Sequence, residues 1–474
     1  MYGGIVLNIA SVANVNMIGV TAHTAPYQML TSSPKWTLPN TRAVSAMKFA
    51  LPLLIIDFNS EALIMSESDY LLTNIAQIHG ILDQGVECLK GSNMQQINKL
   101  EKAYIKVENG LIAEYGSMQD CPNYEGNTID LSDHWVIPAF VDSHTHMVFA
   151  ASRHNEYVMR LQGKTYEDIA SEGGGILNSA LRLQEMSEDD LYNYAKGFVE
   201  QAMLCGTGAL EIKSGYGLSV EAELKMLRVI KRLKAAMPIV IKATFLGAHA
   251  MPKAYQNNRE AYIQLIINEM LPVIAEQGLA DFIDVFCDKG FYTPEETQTI
   301  LSAAQRYGLP AKIHGNELGL TGGVQVAVAN KALSVDHLEH LSEQEIDCLL
   351  QSDTMPVALP GSSFFLKIPY TPARRMVDAG LPVAIASDFN PGSSPHYNLF
   401  FTWSLACLYN GLLPEEGFNA LTINAAKAMG LQKTHGSITV GKTANLMVTK
   451  AFNHMNELPY WFAQNHCVKT FKVK

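Results

Sequence analysis

Eight short apolar runs, most of them separated by segments of helical character, constrain the fold of this chain more than any other feature. They occupy residues 136–142, 208–212, 239–246, 282–287, 310–313, 333–336, 355–359 and 382–386. Strand followed by helix, repeated, calls for parallel neighbours in one sheet, and eight such units close into a barrel. The intervening helices carry their own signals. Ser187 is followed by Glu188, Asp189 and Asp190, which suit a helix N-terminus, and residues 221–235 are amphipathic with basic side chains toward their end. At 474 residues the chain exceeds one ordinary compact domain and accommodates a barrel plus a satellite.

The flanks of this pattern read differently. From Tyr70 to about Asp133, short β-like stretches alternate with turns, and Asn109-Gly110 between two alternating runs predicts a hairpin. Residues 436–448 have the same character and complete that sheet from the far end of the chain. The predicted fold is α/β: a (β/α)8 TIM barrel over 134–430, with a small β-sandwich domain built from the flanking segments 65–133 and 431–474. Residues 1–64 stand apart, with five charged side chains and no sustained period of 2 or 3.6. They are expected to be an atypical extension, disordered or a mis-called start.

Charge and cysteine content narrow the function. A net charge of −11 argues against a nucleic-acid surface, and an anionic substrate would have to be met by locally placed Arg or Lys. Seven cysteines with no C-x-x-C pair form neither a disulfide framework nor a zinc ribbon, and they fit a reducing cytoplasm. The apolar stretch 49–56 is too short to span a bilayer and is interrupted by Pro52. Neither export nor a membrane partner is expected.

Polar chemistry collects where the apolar runs end. His144 and His146 follow the first run, and alternation in an extended segment points both imidazoles the same way. The second run ends in Ser214-Gly215-Tyr216-Gly217, the third in Gly247-Ala248-His249 and the fifth in His314-Gly315-Asn316-Glu317. The sixth ends in His337 and the eighth in Ser387-Asp388-Phe389-Asn390. In a parallel barrel all of these ends open onto one face, where active sites of this architecture sit. A lone His-x-His is common by chance; six polar strand ends on one rim are not.

Pro138-x-Phe140-Val141-Asp142-x-His144-Thr145-His146, with a late Ser387-Asp388, resembles the metal-dependent amidohydrolase superfamily. Three longer strings are narrower: Glu211-Ile212-Lys213-Ser214-Gly215-Tyr216-Gly217, Thr244-Phe245-Leu246-Gly247-Ala248-His249 and Asp388-Phe389-Asn390-Pro391-Gly392-Ser393-Ser394-Pro395. They resemble the imidazolonepropionases, ring-opening hydrolases of histidine degradation. The resemblance runs from about Met65 to the C-terminus. It departs at Ala139, where Gly is common, and at Asn445, where Asp is common, both outside the metal cluster.

The candidate metal ligands are His144, His146, His314 and Asp388, a set that suits one Zn(II) or iron ion with water at a remaining position. The fourth strand end reads Cys287-Asp288-Lys289, and the resemblance implies a single metal. It also implies hydrolysis of the cyclic amide of 4-imidazolone-5-propanoate to N-formimidoyl-L-glutamate. Asp388, Glu317 and His337 are the groups available for proton transfer, with their roles undivided, and Glu317 and His337 are placed by resemblance against the ring. Arg153 suits a bidentate clamp on the propionate. Tyr216 and His249 are expected to touch the substrate. Asn390, Gly392 and Ser393 are expected by resemblance to cradle a carboxylate, although so Gly- and Pro-rich a turn would equally be architectural.

Gly173-Gly174-Gly175 reads as a loop and, by resemblance, a lid. Glu339 and His340 are expected on the wrong face or past the mouth, and His23, His79, His435, His454 and His466 as ordinary residues. A purine or pyrimidine aminohydrolase would share the metal set but has no use for a carboxylate clamp. A non-catalytic barrel would be expected to lose ligands. The expected partner is therefore a small anionic substrate, with the oligomeric state left open, a homodimer included.

Overall fold

The computed structural model describes residues 69–164, 168–169 and 174–471. The expectation for residues 1–64, the domain start at Met65 and the first glycine of the 173–175 loop lie outside the described residues. Eight strands form the barrel: Phe140–Asp142, Thr207–Lys213, Val240–Ala248, Phe282–Cys287, Ala311–Gly315, Ser334–His337, Met355–Ala358 and Ala384–Ile385. Each pairs in parallel with its neighbours in chain order. The ring closes just beyond the first and last strands, where Thr145 bridges Phe389. The His146 N–H donates to the Phe389 carbonyl at 2.8 Å, and the Asp388 N–H to that of His144 at 3.0 Å. The seam is thus sewn by the backbone of three candidate ligands.

Local sequence explains the helices around this ring. Ser187 caps Glu188–Leu204 by accepting the Asp190 N–H, and Ser219 caps Val220–Ala236 by accepting that of Ala222. The second helix buries Met226, Leu227, Ile230 and Leu233 at the 3–4 residue spacing that lines one face.

The flanking segments join as a seven-stranded sheet. Its main path runs from Cys467–Phe471 through Leu446–Lys450, His134–Pro138, Tyr70–Ile81 and Asn98–Glu108 to Leu111–Ser117, with Thr128–Asp130 also on Tyr70–Ile81. The expected hairpin is present: Asn109 and Gly110 take φ of 51° and 72°, the left-handed pair that a two-residue turn demands. Tyr70, Ile75, Ile105, Val136, Leu446 and Phe471 contribute to its own apolar core.

One apolar run is divided where the sequence reads as continuous. Of residues 136–142, the first three complete the small-sheet strand His134–Pro138, and the last three are the first barrel strand. Both parts are buried, so hydrophobicity alone does not mark the crossing. The chain changes sheets at Ala139, whose N–H donates to the Asn445 carbonyl at 3.0 Å. The two departures from the family pattern therefore meet at this junction, away from the candidate ligands.

His79, on Tyr70–Ile81, and His435, on the segment returning from the barrel, are buried. Burial pushes both pKa values down to about 4 from an ordinary 6.5, reinforced by the Lys99 and Lys442 ammonium groups respectively. The unfolded chain takes up these protons more readily. Their stabilising effect is therefore complete above pH 6.5 and is lost as pH falls toward 4, by about 1.4 kcal/mol per pH unit for each group. Thermal midpoints measured from pH 7.5 to 4.5 should fall across that window, and the fall should be shallower in His435→Gln. A flat profile would contradict the buried, neutral state of both rings.

Candidate active site

His144 and His146 leave the first barrel strand on the same side, His314 lies on the fifth and Asp388 follows the eighth. The His144 Nδ1 is 2.6 Å from Asp336 Oδ2, and the His314 Nδ1 is 3.0 Å from Asp284 Oδ2. Asp336 fixes the proton on the His144 Nδ1 and turns its Nε2 lone pair inward, and Asp284 lies against the His314 ring. The His144 Nε2 is buried without a hydrogen-bond partner. It lies 3.5 Å from Asp388 Oδ1, which is 3.6 Å from His146 Nε2. The His146 and His314 Nε2 atoms are 3.4 Å apart. Four donors with bonds of about 2.0 Å around one ion would be separated by about 3.3 Å in a tetrahedron. The three separations of 3.4–3.6 Å are close to that edge length.

The protonation states suit ligands. Burial drives the His144 and His146 pKa values well below the ordinary range and that of His314 to about 3. All three rings are neutral, as metal binding requires. Burial raises the Asp388 carboxyl to about 7 against the pull of His337, a shift that a bound cation would reverse. Asp142 pins the turn that presents it, accepting from Ser387 N–H at 3.0 Å and Ser387 Oγ at 2.6 Å.

Beneath the ligands lies a bed of buried charge. The Lys213 Nζ bridges Glu211 Oε1 at 2.8 Å and Asp284 Oδ2 at 2.7 Å, and the Lys312 Nζ reaches Glu211 Oε2 at 2.8 Å. Two ammonium groups thus share a floor with the carboxylates of Glu211, Asp284 and Asp336, the last two of which lie against the His314 and His144 rings.

Glu317 and His337 face each other across the mouth, Oε2 to Nε2 at 3.7 Å. Burial raises Glu317 to about 7. Burial pulls His337 down, but the Glu317 and Glu339 carboxylates win and hold it well above its usual value. His337 also lies within reach of His144 and His314 as a possible ligand group, yet its two nitrogens face Glu317 and Glu339.

A cavity of about 1420 Å³ opens above these groups. His146, Arg153, Tyr216, His249, Glu317 and Asp388 are among the residues lining it. Arg153 is not a surface residue. Its side chain is 9% exposed, and its Nε donates to Glu156 Oε2 at 2.8 Å. A Cβ on Gly392 would lie 2.2 Å from the Arg153 Nη1, so this guanidinium occupies the space a larger residue would need. Glu223 accepts the N–H groups of Gly215, Gly217 and Leu218 at 3.0, 2.7 and 2.9 Å, fixing the turn that carries Tyr216. The His249 Nδ1 meets the Gly215 carbonyl at 2.9 Å, and its ring stacks on that of His146.

Asn390, Gly392 and Ser393 line the same cavity but bond to one another. The Asn390 Oδ1 accepts the Gly392 and Ser393 N–H groups at 2.8 and 2.7 Å, and its Nδ2 donates to the Asp388 carbonyl at 2.7 Å. The amides expected to cradle a carboxylate are spent inside the turn. Arg153 and Arg160 both line the cavity on this side.

The sequence matches the amidohydrolase family over residues 135–472. An imidazolonepropionase of Flavobacterium psychrophilum is 50% identical over 396 residues, covering 83% of this chain and 96% of that protein. One from Geobacillus kaustophilus is 40% identical over 385 residues, 80% and 91% of the two chains. The chain belongs to the imidazolonepropionase family. Solved structures support the fold: an E. coli guanine deaminase superposes with a TM-score of 0.66 at 13% identity, over 86% of this chain and 98% of that one. A triazine hydrolase variant does so at 0.66 and 15%, over 86% and 94%.

Several residues around the candidate site of this imidazolonepropionase family member escape a reading of motifs. Glu339, expected past the mouth, is buried with its Oε1 3.4 Å from the His337 Nδ1. The backbone turns left-handed at His337 and Leu338, which brings Glu339 back under the ring. Glu211, Lys213, Asp284, Lys312 and Asp336 sit inside apolar strands. Charges alternating with ligand or apolar positions, as in Glu211-x-Lys213 and Lys312-x-His314, were the available signal. Arg160, whose Nη1 donates to the Gly392 carbonyl at 3.0 Å, carried none.

Proposed function

We propose that the cavity hydrolyses the cyclic amide of 4-imidazolone-5-propanoate to N-formimidoyl-L-glutamate, the ring-opening step of histidine degradation. The observation that carries this reading is a chain of ring nitrogens and one carboxylate oxygen spaced 3.4–3.6 Å, from His144 through Asp388 and His146 to His314, beside a cavity lined by a largely buried arginine, in a chain belonging to this family. His144, His146, His314 and Asp388 would hold one divalent ion, Zn(II) or iron. When bound, the ion lowers the pKa of water toward 7 and polarises a carbonyl.

The protein's own groups do the rest. Arg153, braced by Glu156, holds the propionate, and Tyr216 and His249 border the ring. The phenol of Tyr216 stays protonated, because burial pushes its pKa up. His337, charged between two carboxylates, carries N–H groups on both ring nitrogens, one facing Glu339 and the other Glu317. Glu317, raised to about 7, changes protonation readily. It would take the proton of the attacking water and return one to the departing ring nitrogen as the C–N bond breaks. Asp388 serves the same transfer from the ligand side.

Cys88, Cys121, Cys205, Cys287, Cys348 and Cys407 are free thiols, which suits work in a reducing cytoplasm. Among the described residues no helix is long and apolar enough to cross a membrane.

Purified protein mixed with freshly prepared imidazolone propionate should bleach the ring absorbance and yield formimidoyl-glutamate. Elemental analysis should find about one equivalent of zinc or iron. Stable absorbance in a metal-replete sample would end this reading, and two equivalents would end the mononuclear one.

A further inference from the structure

The sixth barrel strand ends in backbone that ordinary residues avoid. His337 takes φ of 86° and Leu338 of 63°. Two consecutive non-glycine residues in the left-handed region persist only where their surroundings over-determine them. The Leu338 N–H is clipped to the Gly315 carbonyl at 3.1 Å, which ties this turn to the strand end carrying His314. The Thr371 Oγ1 donates to the His337 carbonyl at 2.6 Å.

The imidazole is held as well. Glu339 Oε1 lies 3.4 Å from the His337 Nδ1 and accepts the Ser363 hydroxyl at 3.3 Å. Glu339 is 5% exposed, and its Oε2 has no hydrogen-bond partner. So costly a buried carboxylate, facing a histidine on one oxygen, would be poorly explained as filler. Ser363 lies on the helix Pro360–Leu366 and Thr371 a few residues beyond, so one segment after the seventh strand anchors both the ring's partner and its backbone.

We propose that Glu339 is the positioning residue for His337. Anchored by Ser363 and helped by Thr371, it fixes the ring so that Nε2 is presented to Glu317 and the substrate. Glu339 acts through His337 and does not itself touch the reacting atoms. The inference rests on the reading above, in which His337 acts at the ring.

The test is steady-state kinetics of the metal-loaded enzyme on imidazolone propionate, with metal content measured for each variant. Glu339→Met removes the acceptor and should lower kcat by about 10- to 100-fold, the range for a displaced catalytic group. KM should stay within about twofold and metal content should be unchanged, because neither the clamp nor the ligands are touched. Glu339→Gln keeps an oxygen toward the Nδ1 proton and should hold kcat within about threefold of the parent. If Glu339→Met does not fold, Thr371→Val carries the test through the backbone anchor. A several-fold loss in kcat alone, about three- to tenfold, is expected there. Parental kcat in Glu339→Met, or in Thr371→Val where that stands in, overturns the proposal, as does a loss that tracks metal content. His337→Asn separates the two readings. If it retains kcat, the role of His337 itself is wrong; if it loses kcat while Glu339→Met does not, only the positioning role is.

Discussion

His314→Ala is expected to abolish hydrolysis and metal retention together. The imidazole supplies one of three converging nitrogens, 3.4 Å from that of His146. Loss of the ring also strands Asp284, a buried carboxylate whose pKa is held far below its usual value by His314 and Lys213 against the cost of burial. An ion that activates water and polarises a carbonyl is worth several kcal/mol in the transition state, so kcat/KM should drop by about 10³-fold or more. Dialysis against a weak chelator should then leave less than about a tenth of an equivalent of metal in the variant and nearly all of it in the parent. Full metal content with intact turnover would remove His314 from the ligand set.

Arg153→Ala should act on binding. Truncating one partner of a buried, hydrogen-bonded charge pair costs about 2–5 kcal/mol, which predicts a rise in KM of roughly 30-fold or more with a smaller change in kcat. Part of that cost is structural, because Glu156 loses its guanidinium while its Oε1 still accepts the Gly175 N–H at 2.9 Å. A substrate carrying propionamide instead of propionate separates the two. If the guanidinium reads the carboxylate, the parent enzyme should already bind the amide poorly, and the substitution should cost little more. Equal losses on acid and amide would make Arg153 a wall of the cavity and no clamp.

The sequence makes the barrel legible because parallel strands buried on both faces appear as separate apolar runs, and helix caps such as Ser187 punctuate them. The candidate ligands are legible for a related reason: His144-x-His146, His314 and Asp388 each sit where a run stops. Three kinds of information are not local in this way. The crossing at Ala139 joins two buried strands of equal hydrophobicity. The return of Glu339 toward His337 depends on left-handed torsions at residues whose side chains give no warning of them. The ion floor of Lys213, Lys312, Glu211, Asp284 and Asp336 exists only when the second, fourth, fifth and sixth strands are assembled, since each charge taken alone reads as a solvated residue. Asn390 shows the opposite limit. Its motif is conspicuous, yet its hydrogen bonds turn inward to hold the loop.

The small sheet has a consequence for how the protein is made. His134–Pro138 lies between Tyr70–Ile81 and Leu446–Lys450, so one of its two edges belongs to the start of the chain and the other to the end. During synthesis that second edge stays bare while roughly 300 further residues emerge, some 15 to 60 seconds at ribosomal speeds. An uncovered strand edge is a template for pairing with a neighbouring nascent chain. Translation rate and chaperone occupancy over that interval should therefore govern the yield of native enzyme more than the final stability of the barrel does.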